Sequence, residues 1–192
     1  MKWHDLPKVK KGDIAEKIVE AKIIEMGFIP YRPVAGGAHP FDVLCASRDK
    51  QHIFIADSKG KPRRHSYPDT GINVSHFETY MNIQYEHNLR VYLFFVDEEW
   101  GRVYGNFLDE LIKPYVLEYN NKVLDYPRKE RGMNRVEIIY FPIANMEMLC
   151  VIEDADIKAM KAASTRKPKH QDIYEGGVDL NNLGVVVQGH LF

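Results

Sequence analysis

Apolar residues recur at helical spacing through Ile14, Ile18, Ala21 and Met26, with Gly12-Asp13 before them and Gly27 after. Asp13 is placed to cap this helix, Glu16 follows three residues on, and Gly27 is placed to end it. Phe28-Ile29-Pro30-Tyr31-Arg32-Pro33-Val34 then reads as an extended edge segment, where a sheet tolerates proline. Ala35-Gly36-Gly37-Ala38 predicts a turn. The period then drops to that of strands at 41–46, and Arg48-Asp49-Lys50 turns this strand into a third extended stretch at 52–58. The segment 60–71 is rich in Pro and Gly and reads as a loop. Residues 72–87 are helical in pattern, and Leu-Arg-Val-Tyr-Leu-Phe-Phe-Val at 89–96 is the clearest strand of the chain. A short strand at 102–104 and a brief helix at 106–113, stopped by Pro114, follow. No element is assigned up to 136. Strands at 136–141 and 148–152 come next, then a helix at 155–163 capped by Glu153-Asp154. This order predicts an α/β fold, a mixed central β-sheet flanked by helices. Residues 1–163 are expected to form one domain, with 164–192 as a tail that is either flexible or forms an interface through its apolar end, Leu-Gly-Val-Val-Val-Gln-Gly-His-Leu-Phe.

Within this pattern one strand ends in an unusual way. Ile-Phe-Ile-Ala at 53–56 is apolar and asks to be buried, yet Asp57-Ser58-Lys59 follows directly. An unpaired charge in a protein interior costs several kcal/mol, roughly, so the acid and the base need compensation. If the strands at 41–46 and 52–58 form an antiparallel hairpin, the start of one lies beside the end of the other. Asp42 then meets Asp57, and Lys59, two residues on, shares the face of Asp57. Two close carboxylates repel each other, and a hard divalent cation is the usual remedy. Magnesium takes oxygen ligands, often one or two carboxylates completed by water and phosphate.

These residues resemble the PD-(D/E)xK nuclease superfamily. Its acidic position on one strand corresponds to Asp42 in His39-Pro40-Phe41-Asp42, and its Asp/Glu-x-Lys to Asp57-Ser58-Lys59. The glutamate many members carry on their first helix is matched by Glu16, and the likeness covers roughly residues 11–97. Some members place Gln-x-x-x-Tyr on the helix after the lysine; here the pair is His76 and Tyr80, a departure at the first position. The resemblance implies a restriction-endonuclease-like core and a metal-dependent nuclease that hydrolyses phosphodiester bonds of DNA, with branched or recombination and repair DNA among the expected substrates and RNA left open. It implies Asp42, Asp57 and the Ser58 carbonyl as ligands of magnesium, or of manganese in its place. Lys59 would position the attacking water, and Glu16 would hold a metal-bound water or a second ion. Glu16 has a second reading, as an acid complementing the dipole at a helix start. The resolvases of this superfamily act as dimers, which makes a homodimer an expectation.

Composition changes this picture little. The net charge of −1 over 192 residues is not that of a polycation, but local basic stretches matter more than the sum. Lys61, Arg63, Arg64 and His65 follow Lys59 directly and are expected to reach a phosphate backbone. His76 and Tyr80 lie one turn apart on a helix, either holding the strand end or the substrate phosphate, or simply half-buried. His39 and Tyr67 have both a nucleic-acid reading and a packing one. The clusters Arg128, Lys129, Arg131, Arg135 and Arg166, Lys167, Lys169, His170 read as solvated surface. So does the acidic run Asp97-Glu98-Glu99, which has no basic partner near it in sequence. Cys45 and Cys150 read as reduced core thiols, and zinc is not expected. With no signal-like segment and no apolar run near the roughly 20 residues a membrane span needs, the expected location is the cytoplasm. A contrasting reading is a catalytically inactive nucleic-acid-binding or adaptor domain of the same fold. Ser or Cys hydrolase, P-loop and dinucleotide signatures are absent.

Overall fold

The computed structural model describes residues 6–33, 39–49, 51–132 and 135–164. The first helix, α1 (Pro7–Glu25), begins five residues before Gly12. Proline at the first helical position has its φ preset and no N–H to leave unsatisfied, so the helix starts there and Asp13 lies inside it. The predicted stop is correct: Gly27 takes φ +89°, where a side chain would be strained. The chain continues into β1 (Phe28–Tyr31), β2 (Val43–Ser47), β3 (Ile53–Lys59) and β4 (Asp69–Asn73), then α2 (Val74–His87), β5 (Arg90–Asp97) and β6 (Arg102–Phe107). After α3 (Leu108–Leu111) come β7 (Tyr115–Tyr119), β8 (Lys122–Tyr126), β9 (Arg128–Arg131), β10 (Glu137–Pro142), β11 (Glu147–Val151) and α4 (Asp154–Ala162).

Among the described residues the main sheet has the order β1-β2-β3-β5-β6-β11. Its central pair, β3 and β5, is parallel, and the other neighbours are antiparallel. This is the mixed α/β sheet flanked by helices that the pattern predicts. One face packs on α1 and α4 through Ala15, Val19, Ile23, Phe54, Ala56 and Met160. The other packs on α2 and β10 through Ile55, Ile72, Tyr80, Leu93, Phe95 and Phe141. Alternation along β3 therefore sends Phe54 and Ala56 to the α1 side, and Ile55, Asp57 and Lys59 to the α2 side.

Two expectations need correction. The Pro- and Gly-rich stretch 60–71 is not all loop: Asp69, Thr70 and Gly71 open β4, which pairs with β10. Gly71 is required there, since a Cβ would lie 2.2 Å from the Ile139 carbonyl oxygen. The stretch after Pro114 holds the β7–β8 hairpin, turned by Asn120 and Asn121 at φ 50° and 58°. Asparagine tolerates that left-handed region, and Asn-Asn between Val-Leu-Glu-Tyr and Lys-Val-Leu-Asp-Tyr is the signal that could have revealed it. The turn assigned to 35–38, the basic cluster 166–170 and the apolar end of the tail lie outside the described residues. No helix among the described residues is long and apolar enough to cross a membrane.

Candidate active site

The hairpin forms in the predicted register. Val43 pairs with Ala56 and Ala46 with Ile53, so Asp42, one residue before β2, lies opposite Asp57. Asp42 Oδ2 accepts hydrogen bonds from the Ser58 N–H at 2.7 Å and the Ser58 hydroxyl at 2.8 Å. This ties the end of β3 to the entry of β2. Asp57 is 3% exposed and forms an ion pair with Lys59 on the same face of the strand. The pair is made through Oδ2, which has no further hydrogen bond. Burial pushes the Asp57 carboxyl up to about 6; Lys59 opposes that shift and the neighbouring charge of Asp42 adds to it. Tyr80 of α2 is buried against this pair. Its ring lies 5.6 Å from Lys59 Nζ, and its hydroxyl, which has no well-formed partner, acts on the Asp57 carboxyl. His76 packs edge-on to Tyr80 with centroids 6.2 Å apart and is itself exposed.

Asp42, Asp57, Ser58, Lys59, Tyr80 and His76 are thus brought together at one end of the sheet. Glu16 faces the side of β3 that carries Ala56 and Ser58, opposite to that of Asp57. It lines a shallow crevice on the α1 side with Asp42, Ser58, Val19 and Arg32, and Arg32 Nη1 donates to it at 2.9 Å. Arg32 also binds Glu20, one turn further along α1. Sequence reasoning missed Arg32 as the partner of Glu16, because only the fold brings β1 beside α1.

The basic loop is also held differently from the expectation of a flexible arm. Arg63 is 7% exposed, donates its N–H to Asp97 Oδ2 at 3.2 Å and stacks on Trp100. Arg64 pairs with the buried Asp69 and, at 2.6 Å, with Glu130, and lies on the Tyr140 ring. His65 Nε2 is 3.1 Å from Glu99 Oε2, and Lys61 Nζ donates to the Gly71 carbonyl at 3.4 Å. Tyr80 is too deep to stack on a base, and its position favours support of the strand end. Tyr67 packs near Tyr119, while His39 is exposed near the entry to β2.

The acidic run Asp97-Glu98-Glu99 is not a solvated turn. Asp97 and Glu98 are 1% and 2% exposed. Their partners come from elsewhere in the chain: Arg63 for Asp97, and Lys11 Nζ, 2.5 Å from Glu98 Oε1.

Among the described residues no three His, Cys, Asp or Glu side chains form a group that holds a metal alone. The donor set that is present, two opposed carboxylates of which one is buried and held by Lys59 alone, still suits a hard cation. Magnesium commonly takes one or two carboxylates and keeps several waters.

No protein-family model matches the chain, and no curated protein matches it. A solved structure to which it is similar is a Holliday junction resolvase, Hjc, of the archaeal hyperthermophile Archaeoglobus fulgidus. The identity is 13% and the TM-score 0.41, over 59% of this chain and 86% of that one. At that level of likeness the reading of the site rests on the residues of this chain.

Proposed function

We propose that this chain is a metal-dependent nuclease of the PD-(D/E)xK kind, hydrolysing phosphodiester bonds of DNA. The observation that carries the reading is the meeting of Asp42 and Asp57 across a hairpin, with Lys59 paired to Asp57 on one face. Nothing in the packing of the sheet requires three charges at that rim. Asp42, Asp57 and the Ser58 carbonyl are the groups to hold magnesium or manganese. The bound ion would supply a more acidic water and neutralise charge on the phosphate. Lys59 orients the nucleophilic water or offsets charge on a phosphate oxygen. Ser58 fixes Asp42, and Tyr80 supports Asp57 from below. Glu16 takes part only if substrate or metal draws it from Arg32.

The proposed substrate is branched or otherwise distorted DNA of recombination and repair, cut by a homodimer in the cytoplasm. A second reading, a nucleic-acid-binding domain of the same fold without chemistry, is favoured by the engagement of Glu16 with Arg32. The two are separated by incubating the protein with supercoiled plasmid, linear duplex, single strands, a four-way junction and RNA under magnesium, manganese and EDTA. Metal-dependent cleavage that is lost in Asp57→Ala and Lys59→Ala supports the nuclease. Binding without cleavage under every metal condition supports the second reading, and the preferred substrate identifies the subclass.

A further inference from the structure

The turn after β5 presents Trp100, which is 44% exposed, at the same end of the sheet as Lys59. The parallel pairing of β3 with β5 sets Lys59 beside Phe95, so both strands run out toward this rim. An isolated exposed aromatic needs no explanation. Trp100 differs in how it is held. The guanidinium of Arg63 lies 3.5 Å from its ring centroid, stacked under one face, with the Tyr104 ring 5.9 Å from the same guanidinium. Arg63 is buried and its Nε has no well-formed hydrogen bond. Asp97 fixes both partners, since Oδ2 accepts from the Arg63 N–H and Oδ1 accepts from the N–H groups of Glu99 and Trp100 at 3.1 and 3.2 Å. Burying a guanidinium is costly. Here the buried guanidinium supports one face of an indole that is itself partly exposed.

Two of the three acids of the turn have cationic partners, Arg63 for Asp97 and Lys11 for Glu98, while Glu99 faces His65. The acidic start of α4 packs behind Gly101, so attraction of a polyanion here rests on stacking rather than on net charge. Arg102 adds a further cation, its Nη1 donating to the Gly101 carbonyl. Arg63 is four positions after Lys59, a reach of about 14 Å at most. We infer that Trp100, backed by Arg63, is a stacking platform for an unpaired base of a single-stranded or frayed polynucleotide whose backbone passes the Asp42–Asp57–Lys59 rim. Stacking on an aromatic face is tolerant of base identity and does not depend on counterion release. The inference rests on the proposed nucleic-acid function and adds the substrate feature that the rim would recognise.

The test measures binding in EDTA, where cleavage plays no part. The chain has two tryptophans, so a Trp3→Phe background isolates Trp100. Single-stranded DNA, single-stranded RNA of the same sequence and blunt duplex are titrated at 50 to 200 mM salt (a typical working window for such contacts). Quenching of Trp100 by single strands is expected. Trp100→Leu, which keeps an apolar side chain over Arg63 but has no aromatic face, should weaken single-strand binding roughly tenfold or more. The salt slope should not change, duplex binding should change little, and Trp100→Phe should fall in between. The DNA and RNA arms identify the sugar. Single-strand affinity within about twofold of the parent in Trp100→Leu overturns the inference, as does a loss accompanied by a shallower salt slope, the mark of a phosphate contact. If the parent binds no polynucleotide in EDTA and cleaves none with magnesium, the functional reading itself falls; if it cleaves with magnesium without binding single strands in EDTA, or binds and ignores Trp100, only this inference does.

Discussion

The ends of β3 and β5 lie side by side in a parallel pair, and each buries a carboxylate at its rim. Asp57 and Asp97 are 3% and 1% exposed, and burial pushes both carboxyls up to about 6. By that measure alone they are equivalent. Their partners separate them. Asp97 accepts from three backbone N–H groups, those of Arg63, Glu99 and Trp100, and faces the Arg63 side chain. Asp57 has Lys59, a poorly placed Tyr80 hydroxyl and a second carboxylate opposite it. A perturbed pKa therefore marks burial in both places, and what separates the two carboxylates is that Asp97 accepts three backbone N–H groups while Asp57 faces a second carboxylate. The β5 end is a structural clasp, and the β3 end is the site proposed for chemistry.

The largest expected difference is in activity. Asp57→Ala and Lys59→Ala should each lower kcat by about 10²- to 10⁴-fold, the range for losing a positioned acid–base group. Asp97→Asn should leave the rate within about tenfold of the parent. Single-turnover cleavage of plasmid under saturating magnesium makes the comparison. Equal losses at both strand ends would erase the distinction drawn between them.

Stability should move the other way. Asp97→Ala leaves the Arg63 guanidinium buried without its carboxylate, a change that costs roughly 3–5 kcal/mol. Asp57→Asn removes a buried charge held beside a second carboxylate and should stabilise the metal-free protein by about 1 kcal/mol, the trade of stability for function expected at an active site. Urea denaturation in EDTA reads both values. A destabilised Asp57→Asn would mean that its ion pair with Lys59 is structural.

The β2–β3 hairpin and the opposition of Asp42 and Asp57 were legible in the sequence because they depend on local pairing and on a period of two. The stop at Gly27 and the strand β5 were legible for the same reason. The clasp was not. Asp97, Glu98 and Glu99 read as solvent-facing, since Arg63 and Lys11 are 34 and 87 residues from their partners. Arg63 and Arg64 read as a mobile phosphate-binding arm for the converse reason: nothing local announces Asp97, Asp69 or Glu130. Glu16 was correctly placed on a helix, but its engagement by Arg32 follows from β1 docking beside α1. Charge pairing over such separations is set by topology, which a single sequence encodes only indirectly.

The clasp also makes a pH prediction. Because the folded pKa of Asp97 is raised above the ordinary aspartate value of about 3.9, the native state holds its proton more tightly than the unfolded chain. Its contribution to stability is full below about pH 4, falls as pH rises to about 6, and changes little above that. Over that window the parent should lose up to about 3 kcal/mol relative to Asp97→Asn, which has no proton to release. Denaturation midpoints of the two proteins from pH 4 to 7 test this, and parallel curves would show that Asp97 titrates normally.

The smallest expected effect concerns Tyr80, which joins the β3 end to α2. It is 1% exposed, and its hydroxyl lacks a well-formed partner. Tyr80→Phe keeps the ring beneath Lys59 and removes only that hydroxyl. If the hydroxyl were part of the packing, the variant would be destabilised. If it supports the Asp57 carboxyl in the competent arrangement, folding should be unaffected within about 1 kcal/mol, and kcat should fall roughly fivefold with KM unchanged, the equivalent of one neutral hydrogen bond. That split, measured with urea midpoints and cleavage rates on the same preparation, assigns Tyr80 a positioning role. A change in stability alone would place it with the clasp, on the structural side of the comparison.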